Sequence, residues 1–183
     1  MKKIILIAVV CCLQHFVHAQ KFMTRSGQVS FFSSTAVENI EAINNEVASV
    51  FDATSGELVF IVPIKSFKFD RALMQEHFNE NYLESDQFPK ADFKGKIENA
   101  ATINFSKEGA TPVKALGTMT MHGVSQAITV PGTLTVKNGA LVFKAVFKVK
   151  NKDYKIIIPS VAAKKVAEVV EITVNSLLAP LKK

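Results

Sequence analysis

The sequence has no tryptophan, two tyrosines and only two cysteines, Cys11 and Cys12, which lie together in an apolar stretch near its start. That stretch has its own reading. Lys2 and Lys3 make a basic beginning, Ile4 to Leu13 an apolar run, and Val17-His18-Ala19 a small-residue cleavage site before Gln20. This is the pattern of a secretory signal peptide, so residues 1–19 are read as a leader and 20–183 as one folded domain. The run falls short of the roughly 20 apolar residues that span a bilayer as a helix. Lipid attachment is also disfavoured, because Val10 and Cys11, not small residues, precede the two cysteines. Without the leader the chain has no thiol. Disulfides, thiolate metal sites and cysteine nucleophiles are thereby excluded together, and the hydrophobic core alone must hold the fold.

Other scarcities narrow the function. Eight glycines are spread among turns, with no glycine-rich phosphate loop and no G-x-S-x-G nucleophile elbow. After the leader only His77 and His122 remain, and neither has His, Cys or a paired carboxylate at ligand spacing. His77 reads as a rim residue, and His122 as part of a turn whose backbone satisfies its ring. Glu84-Ser85-Asp86 has the look of a solvated loop. No enzyme activity, metal or cofactor is expected. With Arg25 and Arg71 the only arginines, nothing supports nucleic-acid binding. The 22 basic residues less Lys2 and Lys3 leave 20 against 16 acidic, a net charge of +4. Such an excess suits solubility, and it also favours peripheral contact with an anionic membrane surface.

Alternation is abundant. Ala91, Phe93, Gly95 and Ile97 interleave with Asp92, Lys94, Lys96 and Glu98. Leu141, Phe143, Ala145, Phe147 and Val149 share a face opposite Lys144, Lys148 and Lys150. Side chains of a strand point to opposite faces with period two, so each run has one dry and one wet face. Less regular strands are expected at residues 28–34, 47–53, 57–64, 113–121, 127–136 and 169–176. Asn138-Gly139 between two runs is a strong hairpin signal, because a type I′ turn needs positive φ at both central positions. His122-Gly123, Ser55-Gly56 and Lys107-Glu108-Gly109 mark further turns. About eight short strands joined by tight turns indicate an all-β antiparallel barrel or sandwich. One helix is expected over residues 71–82, with Asp70 as N-cap, Met74, Phe78 and Tyr82 as its apolar stripe, and Phe88-Pro89 stopping any continuation. A further helical turn is expected near residues 161–168.

The chain is rich in phenylalanine: of 14, only Phe16 lies in the leader. Phe31, Phe60, Phe93, Phe143 and Phe147 fall on dry strand faces, with Met119 and Met121 between them. Each alone fits an ordinary packed core. As a set they fit the lining of a small barrel, since eight strands enclose just enough space for one small ligand. Phenylalanine and methionine make a soft wall suited to flexible hydrocarbon chains.

Two segments carry a family resemblance, Asp86-Gln87-Phe88-Pro89-Lys90-Ala91-Asp92-Phe93 and Gly117-Thr118-Met119-Thr120-Met121-His122-Gly123-Val124. Both resemble signature stretches of the YceI-like family of lipocalin-like, polyisoprenoid-binding envelope proteins. Gly27-Gln28-Val29-Ser30-Phe31 resembles the family's first strand. Ser66 to Phe69 with His77 to Ser85 is similar to its strand, helix and approach to the Phe-Pro segment, and Asp153 to Ile156 with Ile158-Pro159 to a late segment of some members. The chain departs at Glu84-Ser85-Asp86-Gln87-Phe88, where many members have Phe-Phe-Asp. It departs also at Met74-Gln75-Glu76-His77, in place of an Arg-Asp-x-His stretch.

The resemblance implies an eight-stranded antiparallel lipocalin-like β-barrel with one short helix near its mouth and an apolar tunnel. It implies a secreted or periplasmic protein whose partner is an apolar small molecule, an isoprenoid or other lipid. The lining expected is Phe60, Phe93, Met119, Met121, Phe143 and Phe147. The alternative is an envelope protein with a self-filled barrel that acts through its surface.

Overall fold

The computed structural model describes residues 21–181; the leader expected at residues 1–19 lies outside them. Nine strands form one sheet: β1 (Lys21–Ser34), β2 (Asn39–Asp52), β3 (Glu57–Pro63), β4 (Lys68–Phe69), β5 (Lys90–Ile97), β6 (Gly109–Met121), β7 (Val124–Lys137), β8 (Ala140–Lys150) and β9 (Val169–Pro180). Pairing runs β1-β9-β8-β7-β6-β5-β3-β2, and β2 pairs again with β1, so eight strands close a ring. All pairings are antiparallel, and the two-residue β4 adds only to β2 outside the ring. Of the two architectures open to the sequence, the closed barrel is the one formed.

Closure depends on bends in β1 and β2. Their register shifts between Thr24 and Gly27, and again between Gly27 and Val29. Each β-bulge inserts unpaired residues, which bends the strand and moves the inward face by one position. In β1 the buried positions pass from Phe22 to Gly27, Val29 and Ser33; in β2 they pass from Ala42 and Asn44 to Val47, Ser49 and Phe51. The bends also bring β1 close to β9. A Cβ on Gly27 would lie 2.5 Å from Ser176 Oγ, and Ser176 is buried against Ser49 with their hydroxyls 3.0 Å apart. Buried Asn44 holds the second bend, donating from Nδ2 to Pro63 O at 2.7 Å and accepting from the Glu46 amide at 2.8 Å.

The strand-by-strand expectations hold best where no bulge intervenes. Along β8, Leu141, Phe143 and Val149 are buried, Phe147 is half-buried, and Lys144, Lys148 and Lys150 are exposed. Both expected tight turns have the left-handed geometry that two-residue hairpins require: Asn138 and Gly139 have φ of 50° and 72°, His122 and Gly123 of 51° and 72°. The helix is shorter than expected. Residues Ala72–His77 are α-helical (α1), and Phe78–Tyr82 continue as a π-turn. Asp70 is not its N-cap. Arg71 holds that position in extended conformation, with no side chain capping the first turn. A single 3-10 turn, Ser160–Ala162, overlaps only the start of residues 161–168, where another helical turn was expected.

The two barrel ends differ. At one, the β2–β3, β5–β6 and β7–β8 connections meet over a packed core. Phe51 is fully buried there, 5.6 Å from the Phe105 ring and 5.3 Å from the Phe143 ring, with Phe22, Leu134, Leu141 and Leu178 around them. At the other end, the connections between β3 and β5 and between β8 and β9 lie across the opening with α1. The filled end is one of two packed clusters that hold the fold, the other, with Val47, Ile64, Phe67 and Leu83, lying toward the mouth. Phe51→Ala is expected to lower unfolding free energy by about 3–5 kcal/mol, as for other buried Phe truncations; denaturant titration checks this, and a loss under 1 kcal/mol would contradict the packing described.

Candidate ligand-binding site

The interior not filled by the closed-end core is a cavity of about 510 Å³. That lies within the roughly 300–1,000 Å³ typical of small-molecule sites. Its wall is built mostly from inward positions of the strands and is chiefly apolar, although Asp92 of β5 and the exposed Lys144 of β8 also border it. All six residues expected from the sequence line it: Phe60, Phe93, Met119, Met121, Phe143 and Phe147. Their placement follows from register. Phe60 of β3 pairs with Phe93 of β5, which pairs with Met119 of β6, setting three large side chains in one row across the wall. Phe143 belongs to the closed-end core, whereas Phe60 and Phe147 touch both that core and a second one toward the mouth.

Beneath this row the wall is bare backbone. Gly95 pairs with Gly117, and a Cβ on either would lie 2.4 Å from a carbonyl oxygen of the opposite strand. The end of the Phe93 ring lies over both glycines, 2.7 and 2.8 Å from those Cβ positions. Two glycines thus permit both the close strand approach and the resting place of the ring.

The upper wall is aromatic. Phe78 lies 5.4 Å from Phe31, 5.5 Å from Phe67 and 5.0 Å from Phe69 between ring centroids. These tilted, edge and offset-stacked arrangements add to simple burial. Of the four rings, sequence reading placed Phe31 in the dry-face set that suits a lining and Phe78 on the helix stripe, but none of the four among the six named lining residues. Phe67 and Phe69 were missed because the connection that carries them has no period to read. Met74 and Tyr82 of the expected stripe also line the cavity.

The mouth lies between α1 and the β8–β9 connection, where Leu73 is 60% and Val161 89% exposed while both line the cavity. Glu38, Arg71, His77 and Lys165 are polar groups of the lining, and Ser33, Asp92, Lys144 and Asn151 also border the cavity. Arg71 Nη2 donates to Glu38 Oε1, tying α1 to the β1–β2 turn. That hydrogen bond, opposed by partial burial and aided by the charges of Arg71 and Lys165, holds the Glu38 carboxyl below its ordinary value. The ion pair therefore persists above the ordinary carboxylate range and is lost only as acid passes below it. His77 lies at the rim, as expected.

His122 does more than fill a turn. Its Nδ1 is 3.1 Å from Tyr154 O and its Nε2 2.6 Å from Glu84 Oε2, so one ring nitrogen meets backbone and the other a carboxylate. Phe88 packs edge-on against the ring at 4.7 Å, and a Cβ on Gly123 would strike Phe88 at 2.7 Å. The Phe-Pro segment, the β6–β7 turn and the stretch after β8 are pinned together beside the mouth. Among the described residues no group of three His, Cys, Asp or Glu could hold a metal.

A closed antiparallel barrel, plugged at one end and open at the other onto an apolar cavity, is a lipocalin-like barrel. The YceI-like domain model matches residues 14–177, and the chain belongs to the YceI-like family. Solved structures share the fold at low identity. A polyisoprenoid-binding domain from Saccharophagus degradans, implicated in plant cell wall breakdown, superposes with a TM-score of 0.76 at 14% identity, covering 89% of this chain and 99% of that one. BcnA of Burkholderia cenocepacia gives 0.69 at 19% identity, covering 84% and 96%. A Campylobacter jejuni YceI protein gives 0.58 at 20%, covering 76% and 84%. No curated protein matches the sequence significantly.

Two substitutions separate lining from support. Phe147→Ala, at a half-buried position beside open space, is expected to lower stability by only about 1–2 kcal/mol and to change ligand affinity; denaturation and titration with a fluorescent lipid read the two effects. His122→Asn keeps a residue tolerant of positive φ but loses the Glu84 contact, and is expected to lower stability by about 1–2 kcal/mol. An unchanged denaturation midpoint in His122→Asn would remove the residue from the pinning role.

Proposed function

We propose that this protein binds a long-chain apolar molecule of polyisoprenoid type inside the barrel, outside the cytoplasm, and performs no catalysis. The observation that carries the reading is the cavity: about 510 Å³, lined chiefly by Phe, Met, Val, Ile and Leu, plugged at one end. Such a space would be unfavourable to leave in water and needs burial more than directed hydrogen bonds to hold a hydrocarbon chain. A self-filled barrel would leave no such volume, which supports the binding reading over that of a purely structural barrel. The polyisoprenoid-binding domain among the structural relatives supports the ligand class. The leader pattern at residues 1–19 supports export, with the mature chain starting at Gln20.

Organic extraction of the purified mature protein, followed by mass spectrometry, tests the reading. One apolar chain molecule per protein is expected, and a clean extract together with no uptake of added prenyl lipids would overturn it. Met121→Asp should abolish uptake while leaving the β-sheet circular dichroism spectrum intact, because an unpaired charge in the apolar wall is costly. N-terminal mass analysis of exported protein checks processing: retention of Met1 would contradict it.

A further inference from the structure

A carrier of the kind proposed above exchanges its cargo either across water or against a lipid surface. Each CH2 of an apolar chain left in water is unfavourable, so direct contact between mouth and bilayer is the route of least exposure. Three separate elements surround the mouth: the β1–β2 turn, α1 and the β8–β9 connection. Each holds an apolar side chain out to solvent, Val37 at 62% exposure, Leu73 and Val161. Leu73 and Val161 line the cavity, and so does Glu38, the neighbour of Val37, which Arg71 ties to α1. Single exposed apolar side chains are ordinary on a protein surface. Three around one apolar opening extend its wall onto the outside, the form of a contact surface. We infer that the mouth is a membrane-docking surface, and that its partner is the face of an anionic phospholipid bilayer.

Charge selects that partner. Val161 lies in a run of tight turns, in which the Ala162 amide donates to Pro159 O and the Lys165 amide to Ala162 O, both at 2.8 Å. Lys164 and Lys165 follow Val161 within about one turn, and both are exposed. Residues 155–168 carry Lys155, Lys164 and Lys165 against one carboxylate, Glu168. Among the described residues none of these three lysines forms an ion pair. Lys165 lies near enough to Glu38 for its charge to act there, but that carboxylate already holds Arg71. On the α1 side, Asp70, Glu76 and Glu80 border a separate polar depression with Lys65, and do not line the cavity. The β8–β9 connection is therefore the cationic half of the rim. Against a bilayer, the apolar tips enter the headgroup layer while the ammoniums stay among the phosphates, as in other interfacial anchors. Each lysine near an anionic surface strengthens binding by about fivefold. The purpose of docking rests on the carrier reading, whereas the surface is testable without cargo.

Co-sedimentation of the purified mature protein with lipid vesicles tests this. Binding to vesicles with about one-third phosphatidylglycerol is expected to exceed binding to pure phosphatidylcholine by about fivefold or more. It should weaken as salt rises from about 0.1 M to about 1 M, where screening acts within roughly 3 Å. Lys164→Glu should reduce binding to the anionic vesicles by at least about fivefold. Val37→Asp should do the same, because a charged tip is kept out of the apolar layer. Lys137→Glu makes the same charge change beside the hairpin of the plugged end, and is expected to leave binding within about twofold. Neither Val37 nor Lys164 lines the cavity, so both variants should take up farnesol from solution as the native protein does. Equal binding to the two vesicle types, or none to either, would overturn the docking surface. So would unchanged binding in both rim variants, or equal losses in Lys137→Glu and Lys164→Glu. In each of these cases native uptake of farnesol would leave the carrier reading standing. Vesicle binding that follows the expected pattern, with no farnesol taken up by the native protein, would overturn the carrier reading and leave the surface in place.

Discussion

Everything in this molecule hangs on the pairing of β1 with β2, which turns a sheet into a tube. A flat or evenly twisted sheet of this length would leave two edges, each a row of unpaired backbone donors and acceptors open to other chains. The bulges near Gly27 let the first two strands curl far enough to meet β9 on one side and β3 on the other. Gly27 admits the neighbouring strands, the Ser49–Ser176 pair satisfies the hydroxyls buried there, and Asn44 anchors the second bend to Pro63. Buried polar groups at this seam are partnered, as the low dielectric of the interior demands.

Once closed, the barrel divides its labour along its axis. The phenylalanines at one end pack against one another and against the connection after β5, which makes a solid plug. Those at the other end line space. Identical residue types thus form a packed plug or an open wall according to depth. The two longest excursions cross the mouth, beside the tight His122-Gly123 hairpin, while the Asn138-Gly139 hairpin, the β2–β3 turn and the connection after β5 close the plugged end. His122 and the Arg71–Glu38 pair then fix excursions that the sheet itself does not hold.

How much of this could be read from the residues depended on whether the period of two ran unbroken. In β8 and β5 it did, and the inward phenylalanines were identifiable one by one. In β2 the expected strand began at residue 47, because Asn39, Glu41, Asn44 and Asn45 have poor strand propensity and the bulge moves the inward face from even to odd positions. The six lining residues were legible because they stand on strands. Phe67, Phe69, Glu38 and Lys165 were not, since Phe69 stands on the two-residue β4, too short to show a period, and the others reach the cavity from irregular connections, whose course is set by tertiary packing. Asp70 looked like a helix cap by type, yet the chain is still extended at Arg71 and the helix starts one residue later. The family resemblance supplied what periodicity could not, the choice of a barrel over a sandwich.

The glycine pair beneath Phe93 gives the barrel a wall whose position no side chain can adjust. Backbone faces backbone at Gly95 and Gly117, so the bore on that flank is a property of the main chain and of the single ring that lies upon it. Relatives with the same two glycines could widen or narrow the tube only by changing what covers them. Calibre is then tuned at one position while the hydrogen-bonded frame stays as it is, and selectivity for thick or thin cargo can drift without putting the fold at risk.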